Sequence, residues 1–272
     1  MYIRSPNLLR IELPRSILKT RGIVIRNWRI GDTSRFATLY TEDRGKLKIA
    51  AKGARRIKSK FGAALELMSE INAVFYVGKN RNIQTLSECS LLRDPPSVTS
   101  DLKRFSLANA AIEMVDKVTI EGEPNRRLFA CLRGVLRGLQ EVDVNQLEVL
   151  FWYFELRVLD ALGYSPELRS CTVCGADLRV GLCGFNVIVG GGICQACGDG
   201  GYQDIPFEGL SFLAKLQALP TYRREILPKE PVYRAQIRKL FKSFFAYHGL
   251  IVGNLSSLRF LDSLDRDYIG SR

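Results

Sequence analysis

The chain has 272 residues, of which 46% are hydrophobic and 25% are charged, so it can form more than one compact core and is not expected to be globally disordered. No apolar run approaches the roughly 20 residues that a membrane-spanning helix needs, and the N-terminus lacks the apolar centre of a signal peptide. We therefore expect a cytoplasmic protein with no membrane partner, whose cysteines stay reduced and act as metal ligands or buried thiols.

The positive charge is concentrated in the first third of the chain. Residues 1–90 contain 18 Lys and Arg against 7 Asp and Glu, whereas residues 91–272 contain 22 against 21. A basic module on an otherwise near-neutral protein is typically directed at a polyanion. Nucleic acid is the first candidate, an anionic membrane surface is the second, and a solvated lysine-rich surface without a ligand is the remaining alternative.

Short β-branched segments separated by glycine-bearing turns predict a β domain over residues 17–93. Its five strands are expected at 17–30, 35–40, 46–51, 70–77 and 83–92. Five short strands suit a small closed barrel better than an open sheet, and the five-stranded barrel most often used on nucleic acid is the OB-fold. Residues 1–16 precede this domain as an N-terminal extension, to which the sequence assigns no role.

The third strand and the loop after it form the most basic part of this domain. Fifteen positions without an acidic residue contain Lys46, Lys48, Lys52, Arg55, Arg56, Lys58 and Lys60. Alternation with Leu47 and Ile49 places Lys46 and Lys48 on one exposed face of the strand. Together with Arg35, these seven residues are the predicted nucleic-acid contacts, and the affinity should fall steeply with salt.

Aromatic side chains of the barrel could stack on the bases of a single strand. The candidates are Trp28, Phe36, Tyr40, Phe61, Phe75 and Tyr76. Most aromatic residues of a small barrel belong to its core, so we expect no more than two of them to be stacking platforms. Further positive charge comes from Lys19, Arg21, Arg26, Arg29, Lys79 and Arg81. Nothing in the pattern predicts recognition of a base sequence.

After Asp94-Pro95-Pro96 the spacing of apolar residues changes to three and four, which is typical of helices. Three helices are predicted within residues 98–170, with Thr99 or Ser100 as the cap of the first. The third, at about 145–162, is apolar nearly all round and should be the buried centre of the bundle.

Helical spacing returns at 210–219 and 234–248. We therefore expect residues 205–265 to complete the helical domain that begins at 98–170. Residues 171–204, rich in cysteine and glycine, would be an insertion in it, and 266–272 a polar tail.

The insertion contains two CxxC pairs, formed by Cys171 and Cys174 and by Cys194 and Cys197, with 19 residues between them. This spacing predicts a four-cysteine zinc site. Four thiolates complete a tetrahedral shell, so the Zn²⁺ should be structural rather than catalytic. Gly175 and Gly198 follow the pairs and should allow the backbone to turn tightly beneath the ion.

The alternatives for the cysteines are thiol redox chemistry and an iron–sulfur cluster. Redox chemistry would need an activated pair in a thioredoxin-like setting, and no such βαβ pattern is present. Three further thiols, Cys183, Cys89 and Cys131, are expected to be buried small residues rather than ligands.

The sequence offers no convincing catalytic site, so we do not expect an enzyme. His248 is the single histidine, which leaves a His-dependent nucleophile poorly supplied. No GxxxxGK[ST] motif is present to hold the phosphates of ATP. The one D-x-D pair, Asp265 and Asp267, lies in the polar tail without a rigid support for Mg²⁺.

Several short segments, in their order and spacing, resemble the RecO family of recombination mediators over roughly residues 17–265. In the barrel they are Gly31-Asp32-Thr33-Ser34-Arg35, Leu39-Tyr40-Thr41, Gly45-Lys46, Ala51-Lys52-Gly53-Ala54-Arg55-Arg56 and Ser59-Lys60-Phe61-Gly62. In the helical part they are Glu121-Gly122-Glu123-Pro124-Asn125, Phe154-Glu155-Leu156-Arg157, Leu162-Gly163-Tyr164-Ser165-Pro166 and the CxxC pairs.

The resemblance implies an α+β multidomain protein, in which an OB-fold is followed by a helical domain with an inserted zinc module. It also implies a role in DNA repair and recombination after DNA damage, on the bacterial nucleoid. Such proteins bind single- and double-stranded DNA, anneal strands coated with single-strand-binding protein, and act with RecR to help load RecA. The basic positions 46–60 match the part of the family barrel expected to contact DNA.

A mediator must also engage the acidic tail of a single-strand-binding protein. The candidate surface is a predicted helix that carries Arg126, Arg127, Arg133 and Arg137, and a solvated helix face is the alternative. Two other function classes stay open at this point. One is an RNA-binding or ribosome-associated factor that uses the same barrel, and the other is a metal-dependent nuclease, against which the lack of an ordered acidic cluster argues.

Overall fold

The first domain is a closed five-stranded barrel, as predicted. The computed structural model describes residues 16–30, 33–54, 59, 61–77, 82–95, 101–178, 183–198, 202–221, 225–250 and 255–259. The strands are β1 (Ser16–Ile30), β2 (Ser34–Thr41), β3 (Gly45–Ala51), β4 (Glu70–Val77) and β5 (Ile83–Arg93). They close in the order β1-β2-β3-β5-β4, with β3 and β5 parallel and the other pairs antiparallel.

The long first strand explains how so few residues close a barrel. The first half of β1 pairs with β4 and its second half pairs with β2, with a bulge between Val24 and Arg26. Inward-facing side chains such as Val24, Leu39, Ile49 and Phe75 form a core of their own.

The second domain is helical, with a small sheet inserted between its third and fourth helices. The helices are α1 (Leu102–Val118), α2 (Arg126–Glu141), α3 (Leu147–Ala161), α4 (Phe207–Ala218) and α5 (Arg234–Tyr247). The inserted strands are β6 (Cys183–Asn186), β7 (Gly191–Cys194) and β8 (Gln203–Asp204), in the order β7-β6-β8. Twelve residues of α3 are buried, which confirms its predicted place at the centre of the bundle.

The predicted helix cap is wrong. The carboxylate of Asp101, rather than Ser100 or Thr99, accepts hydrogen bonds from the backbone N–H groups of Lys103 and Arg104 at the start of α1. An aspartate in this position satisfies free donors and also places negative charge at the positive end of the helix dipole.

The barrel packs directly on the helical domain. Ile23, Ile25 and Tyr40 point out of the barrel and belong to the same hydrophobic cluster as the helices. The Tyr40 hydroxyl donates a hydrogen bond to the carbonyl of Asn125 at 3.3 Å, and its ring lies 6.2 Å from that of Phe129. This contact places the outer face of β1–β3 beside the N-terminal end of α2.

Two buried carboxylates of α3 have opposite environments. Arg234 and Arg238 of α5 approach Glu148 at 2.7 and 2.5 Å, so that carboxylate is compensated. Glu155 is buried two turns along α3, and its desolvation, together with the negative charge of Glu148, raises its pKa well above the ordinary range despite Arg238. Burial therefore favours the protonated, neutral form of Glu155.

This difference predicts opposite effects of two isosteric changes. Because native Glu155 holds its proton more tightly than the unfolded chain, stability falls as the pH rises from the unfolded pKa towards the native one. Glu155→Gln should remove this fall and keep or raise the Tm at about pH 8. Glu148→Gln should lower stability by about 1–2 kcal/mol, below the value for fully buried pairs because both arginines can be rehydrated. Calorimetry between about pH 5 and pH 8 tests both, and an unchanged pH slope in Glu155→Gln would contradict the assignment.

Candidate metal centre and nucleic-acid interface

The structure brings the four cysteines of the CxxC pairs together. The Sγ atoms of Cys171, Cys174, Cys194 and Cys197 all lie within 4.8 Å of one another. Those of Cys174 and Cys194 are 3.7 Å apart, too far for a disulfide. A tetrahedral ion with metal–sulfur bonds of about 2.3 Å needs sulfur atoms roughly 3.8 Å apart. The donor set and its spacing therefore fit one tetrahedral metal ion with no open position.

The backbone around the first pair explains the local geometry. Gly175 has a φ of +75°, which favours glycine, and its N–H donates to the Cys171 carbonyl at 2.8 Å. The N–H of Thr172 donates to the Gly192 carbonyl at 2.9 Å and so ties the first pair to β7, which ends in Cys194. The prediction for Gly198 is wrong in its reason, because this residue has a φ of −91°. A Cβ at 198 would lie 2.4 Å from the Tyr202 ring, so a side chain there would require the ring to move.

The thiols are electrostatically unequal before a metal binds. Burial opposes ionisation of Cys171, but hydrogen bonds from the backbone N–H groups of Cys194, Cys174 and Val173 outweigh it and lower its pKa to about 6. Hydrogen bonds that Cys197 shares with Cys174 and Cys194 raise the pKa of Cys197. The metal-free cluster thus retains protons that a bound cation would displace.

The cysteine module shares its core with the helices. Phe185 of β6 is fully buried, and its ring meets that of Phe244 edge-on at 5.3 Å. Leu178 and Ile193 join the same cluster. The backbone of Cys183 pairs with that of Cys194, whereas its side chain lies outside the described residues.

The predicted nucleic-acid contacts divide into several groups. Arg55, Arg56, Lys58 and Lys60 lie outside the described residues. Lys52 is exposed at the end of β3 and has no ion pair within the part of the chain that the structure describes. Arg35 is mostly covered and pairs with Glu66 at 2.7 Å.

The prediction that Lys46 and Lys48 share an exposed face is wrong for Lys46. Its side chain is only 13% exposed, and Nζ reaches the carboxylate of Asp116 at 3.2 Å and its backbone carbonyl at 2.7 Å. Lys48 is 40% exposed and pairs with Glu121 at 2.5 Å. Both acids belong to α1 or the segment after it, so the helical domain covers part of the lysine face.

The outer face of β1–β3 combines cations with aromatic rings. Residues that are paired across these strands lie on the same face of the sheet. One row contains Arg26, Thr38 and Lys48, and the next contains Trp28, Phe36 and Ala50. The rings of Trp28 and Phe36 are partly exposed and stack with centroids 6.0 Å apart.

Most other aromatic candidates of the barrel are unavailable to a ligand. Tyr40, Phe61 and Phe75 are buried, and Tyr76 is exposed on a different part of the barrel, beside Ile17 of β1 and Thr85 of β5. A groove of about 470 Å³ runs beside Trp28, between the barrel and α1. Trp28 and Phe36 are therefore the strongest stacking candidates of this outer face.

The four candidate arginines lie on α2, which also lines a second depression. Arg126, Arg127, Arg133 and Arg137 are exposed, and Arg137 forms an ion pair with Glu141 one turn later. Between them, α2 and α3 enclose an apolar pocket of about 190 Å³ floored by residues such as Val135, Tyr153 and Phe154. The guanidinium of Arg157, which lies 5.0 Å over the Tyr153 ring, forms part of its wall.

The groups considered above for catalysis either pack against aromatic rings or lie outside the described residues. His248 ends α5, and its ring packs 4.3 Å from Tyr164 and 4.6 Å from Phe244. Asp265 and Asp267 lie outside the described residues. Among the described residues, the four cysteines are the one cluster that can hold a metal ion. In the same part of the chain, no helix combines the length and apolarity needed to cross a membrane.

The chain is thus a two-domain protein, in which a closed five-stranded barrel is joined to a helical domain that carries a cluster of four cysteines. The model "Recombination protein O N terminal" matches residues 16–94, and "Recombination protein O C terminal" matches residues 99–258. The chain therefore belongs to the RecO family of DNA repair proteins, which confirms the resemblance.

Individual relatives agree with this assignment. The DNA repair protein RecO of Pelotomaculum thermopropionicum is 30% identical over 259 residues, which cover 94% of this chain and 97% of the relative. That of Roseiflexus sp. (strain RS-1) is 30% identical over 91% of this chain and 86% of the relative. That of Thermoanaerobacter sp. (strain X514) is 34% identical over 66% and 71%. A solved structure of Entamoeba histolytica asparaginyl-tRNA synthetase covers 39% of this chain and 32% of its own at 12% identity and a TM-score of 0.25, too distant to bear on fold or function.

Proposed function

We propose that the chain is a non-enzymatic mediator of homologous recombination that binds single- and double-stranded DNA and anneals complementary strands. The observation that carries this proposal is the outer face of β1–β3, where Arg26 and Lys48 adjoin the stacked pair of Trp28 and Phe36. Cations that meet phosphates and aromatic rings that meet bases are the two elements of sequence-independent single-strand binding.

Annealing follows from holding two polyanions close together without hydrolysis. Two strands repel each other, and a protein with cations on more than one face reduces that repulsion. Lys52 lies at the end of β3, whereas Lys19 lies on the half of β1 that pairs with β4, and both are exposed. The barrel can thus present charge to two strands from different sides.

The metal is proposed to be a structural Zn²⁺. Four thiolates in a tetrahedral arrangement suit zinc and leave no site for water or substrate. When bound, the ion would fix the two CxxC segments to each other. Because Phe185 and Leu178 of this module enter the helical core, the ion would support the domain rather than a reaction.

The proposed partners are RecR, single-strand-binding protein and, indirectly, RecA. The pocket between α2 and α3 has a mainly apolar lining that includes Arg157, and α2 carries further exposed arginines, which suits an acidic peptide with an apolar side chain. We place the acidic tail of single-strand-binding protein there, with Arg127 and Arg133 beside it.

A substitution at Gly134 tests the partner site. A Cβ at this helical position meets nothing within 4 Å, so Gly134→Leu can fill the pocket without a backbone clash. We expect it to weaken binding of the labelled tail peptide about tenfold or more in fluorescence anisotropy, while the better helix propensity preserves the fold. Gly134→Ala is the matched control and should change the affinity little. Equal affinities for both variants would place the peptide elsewhere.

The main experiment measures DNA binding and annealing on the purified, metal-loaded protein without any nucleotide cofactor. We expect tight binding of single-stranded DNA of arbitrary sequence at low salt. The logarithm of the affinity should fall linearly with the logarithm of the salt concentration, and complementary strands should pair faster. Failure to bind single strands at low salt would overturn the proposal. A strong preference for structured RNA over single-stranded DNA in a competition assay would favour the RNA-binding alternative instead.

A further inference from the structure

We propose that Glu121 is an internal competitor for DNA: its carboxylate occupies Lys48 as a phosphate would, and so lowers the affinity of the outer face for single strands. The inference rests on the proposed DNA binding of that face. It assigns to an acidic residue of the helical half a direct effect on the affinity of the barrel.

The pair has the geometry of a competitor rather than of a buried structural contact. Lys48 Nζ and Glu121 Oε1 are 2.5 Å apart, and the two side chains are 40% and 48% exposed. A phosphate can therefore approach Lys48 from solvent without moving the backbone. An exposed ion pair contributes little to stability, so exchanging the carboxylate for a phosphate leaves the fold intact.

The backbone, and not the ion pair, holds Glu121 in place. Glu121 forms a parallel bridge with Lys46 at the start of β3, and the N–H of Gly122 donates to the Lys46 carbonyl at 3.1 Å. Gly45 has a φ of +63°, and a Cβ there would lie 2.2 Å from the Glu123 carbonyl oxygen. Glycine at 45 thus allows the segment to lie close against β3, which brings its carboxylate to the lysine two residues further along.

Asp116 cannot act in the same way. Its side chain is only 7% exposed, and it is shared between Lys46, which is itself covered, and Arg26. Lys46 also bonds the Asp116 carbonyl, so this cluster joins the barrel to α1. Arg26 remains 64% exposed and can reach a phosphate while it keeps this contact.

The consequence concerns counterions. A free lysine that meets a phosphate releases condensed cations from DNA and adds to the salt dependence. A lysine already neutralised by Glu121 has to exchange one anion for another, so its contribution to affinity and to the salt slope is reduced. Removing the carboxylate charge should therefore recover one phosphate contact.

The test compares Glu121→Gln with Glu123→Gln on the full-length, metal-loaded protein. Both changes raise the net charge equally, and Glu123 is exposed in the same segment but forms no ion pair within the described residues. We expect Glu121→Gln to bind a single-stranded oligonucleotide about threefold to tenfold more tightly at about 50 mM salt, with a log–log salt slope steeper by about 0.7. Glu123→Gln should change the affinity less than about twofold, because the Glu123 carboxylate forms no ion pair within the described residues and its removal therefore frees no lysine for a phosphate.

A double-mutant cycle completes the test. In a Lys48→Gln background, Glu121→Gln should no longer increase affinity, since position 48 then has no ammonium group that could be freed for a phosphate. An equal effect of the two glutamine variants, a loss of affinity in Glu121→Gln, or an undiminished gain without Lys48 would each overturn the inference. Failure of the wild-type protein to bind single strands would instead reject the proposed function, and thermal melts identify any variant whose fold has changed.

Discussion

Replacing Cys171 with serine is expected to abolish metal binding and to unfold the cysteine module. Cys171 is the most deeply placed of the four ligands and accepts hydrogen bonds from three backbone N–H groups. Zinc ligation contributes on the order of 10–16 kcal/mol to small finger peptides at neutral pH, and a three-thiolate site loses much of this. We expect the zinc content to fall from about one ion per chain to nearly none.

The loss should spread into the helical domain but spare the barrel core. Phe185, Leu178 and Ile193 belong to the cluster that contains α3 and α5, so losing their packing should lower the Tm of the helical part. Proteolysis should cut first between residues 171 and 204. The barrel has an inner core of its own and should keep its strands.

Cys89→Ser is the matched control, because Cys89 is a half-buried thiol of the barrel and lies outside the cluster. It should retain one zinc and its proteolytic pattern. The zinc content and the Tm of the two variants are the quantities to compare. A Cys171→Ser protein that keeps a full equivalent of zinc and the wild-type Tm would show that these four cysteines are not the metal site.

The elements that could be predicted from the sequence are those whose cause is local. Two-residue alternation and glycine turns located the five strands to within a residue or two, as for β5, expected at 83–92 and observed at Ile83–Arg93. The CxxC spacing located the cysteine cluster because each pair is a local turn, with Gly175 in the left-handed region. Apolar spacing likewise marked α3 as the bundle centre, since nearly every side of that helix is apolar.

What could not be predicted is which residue covers an exposed face. Alternation put Lys46 and Lys48 on the outside of β3, but only the packed structure brings Asp116 and Glu121 to them from some 70 residues along the chain. Such long-range pairs depend on how the barrel sits on α1, which no local pattern encodes. The Glu121–Asn125 segment, quoted above for the family resemblance, thus packs against β3, and its composition alone did not predict this contact.

The second large effect is expected from reversing the charge at the end of β3. The triple variant Lys52→Glu/Arg55→Glu/Arg56→Glu should bind single-stranded DNA about 100- to 1,000-fold more weakly at about 50 mM salt. Its log–log salt slope should be shallower by about 2, as three phosphate contacts on a single strand contribute about 0.7 each. Annealing without nucleotide should be lost in parallel. Titrations at several salt concentrations and a strand-pairing assay measure these changes.

A pair of single variants separates local contact from net charge. Lys52→Glu and Lys19→Glu change the total charge equally, and both lysines are exposed without ion pairs in the described parts of the chain. Lys52 follows the row of Ala50, Phe36 and Trp28, whereas Lys19 lies opposite Val74 of β4. If phosphates meet the β1–β3 face, Lys52→Glu should weaken single-strand binding several-fold more than Lys19→Glu, because charges beyond about 10 Å are screened. Equal losses in the two variants would mean that DNA is attracted by the charge of the whole barrel and not held at this face.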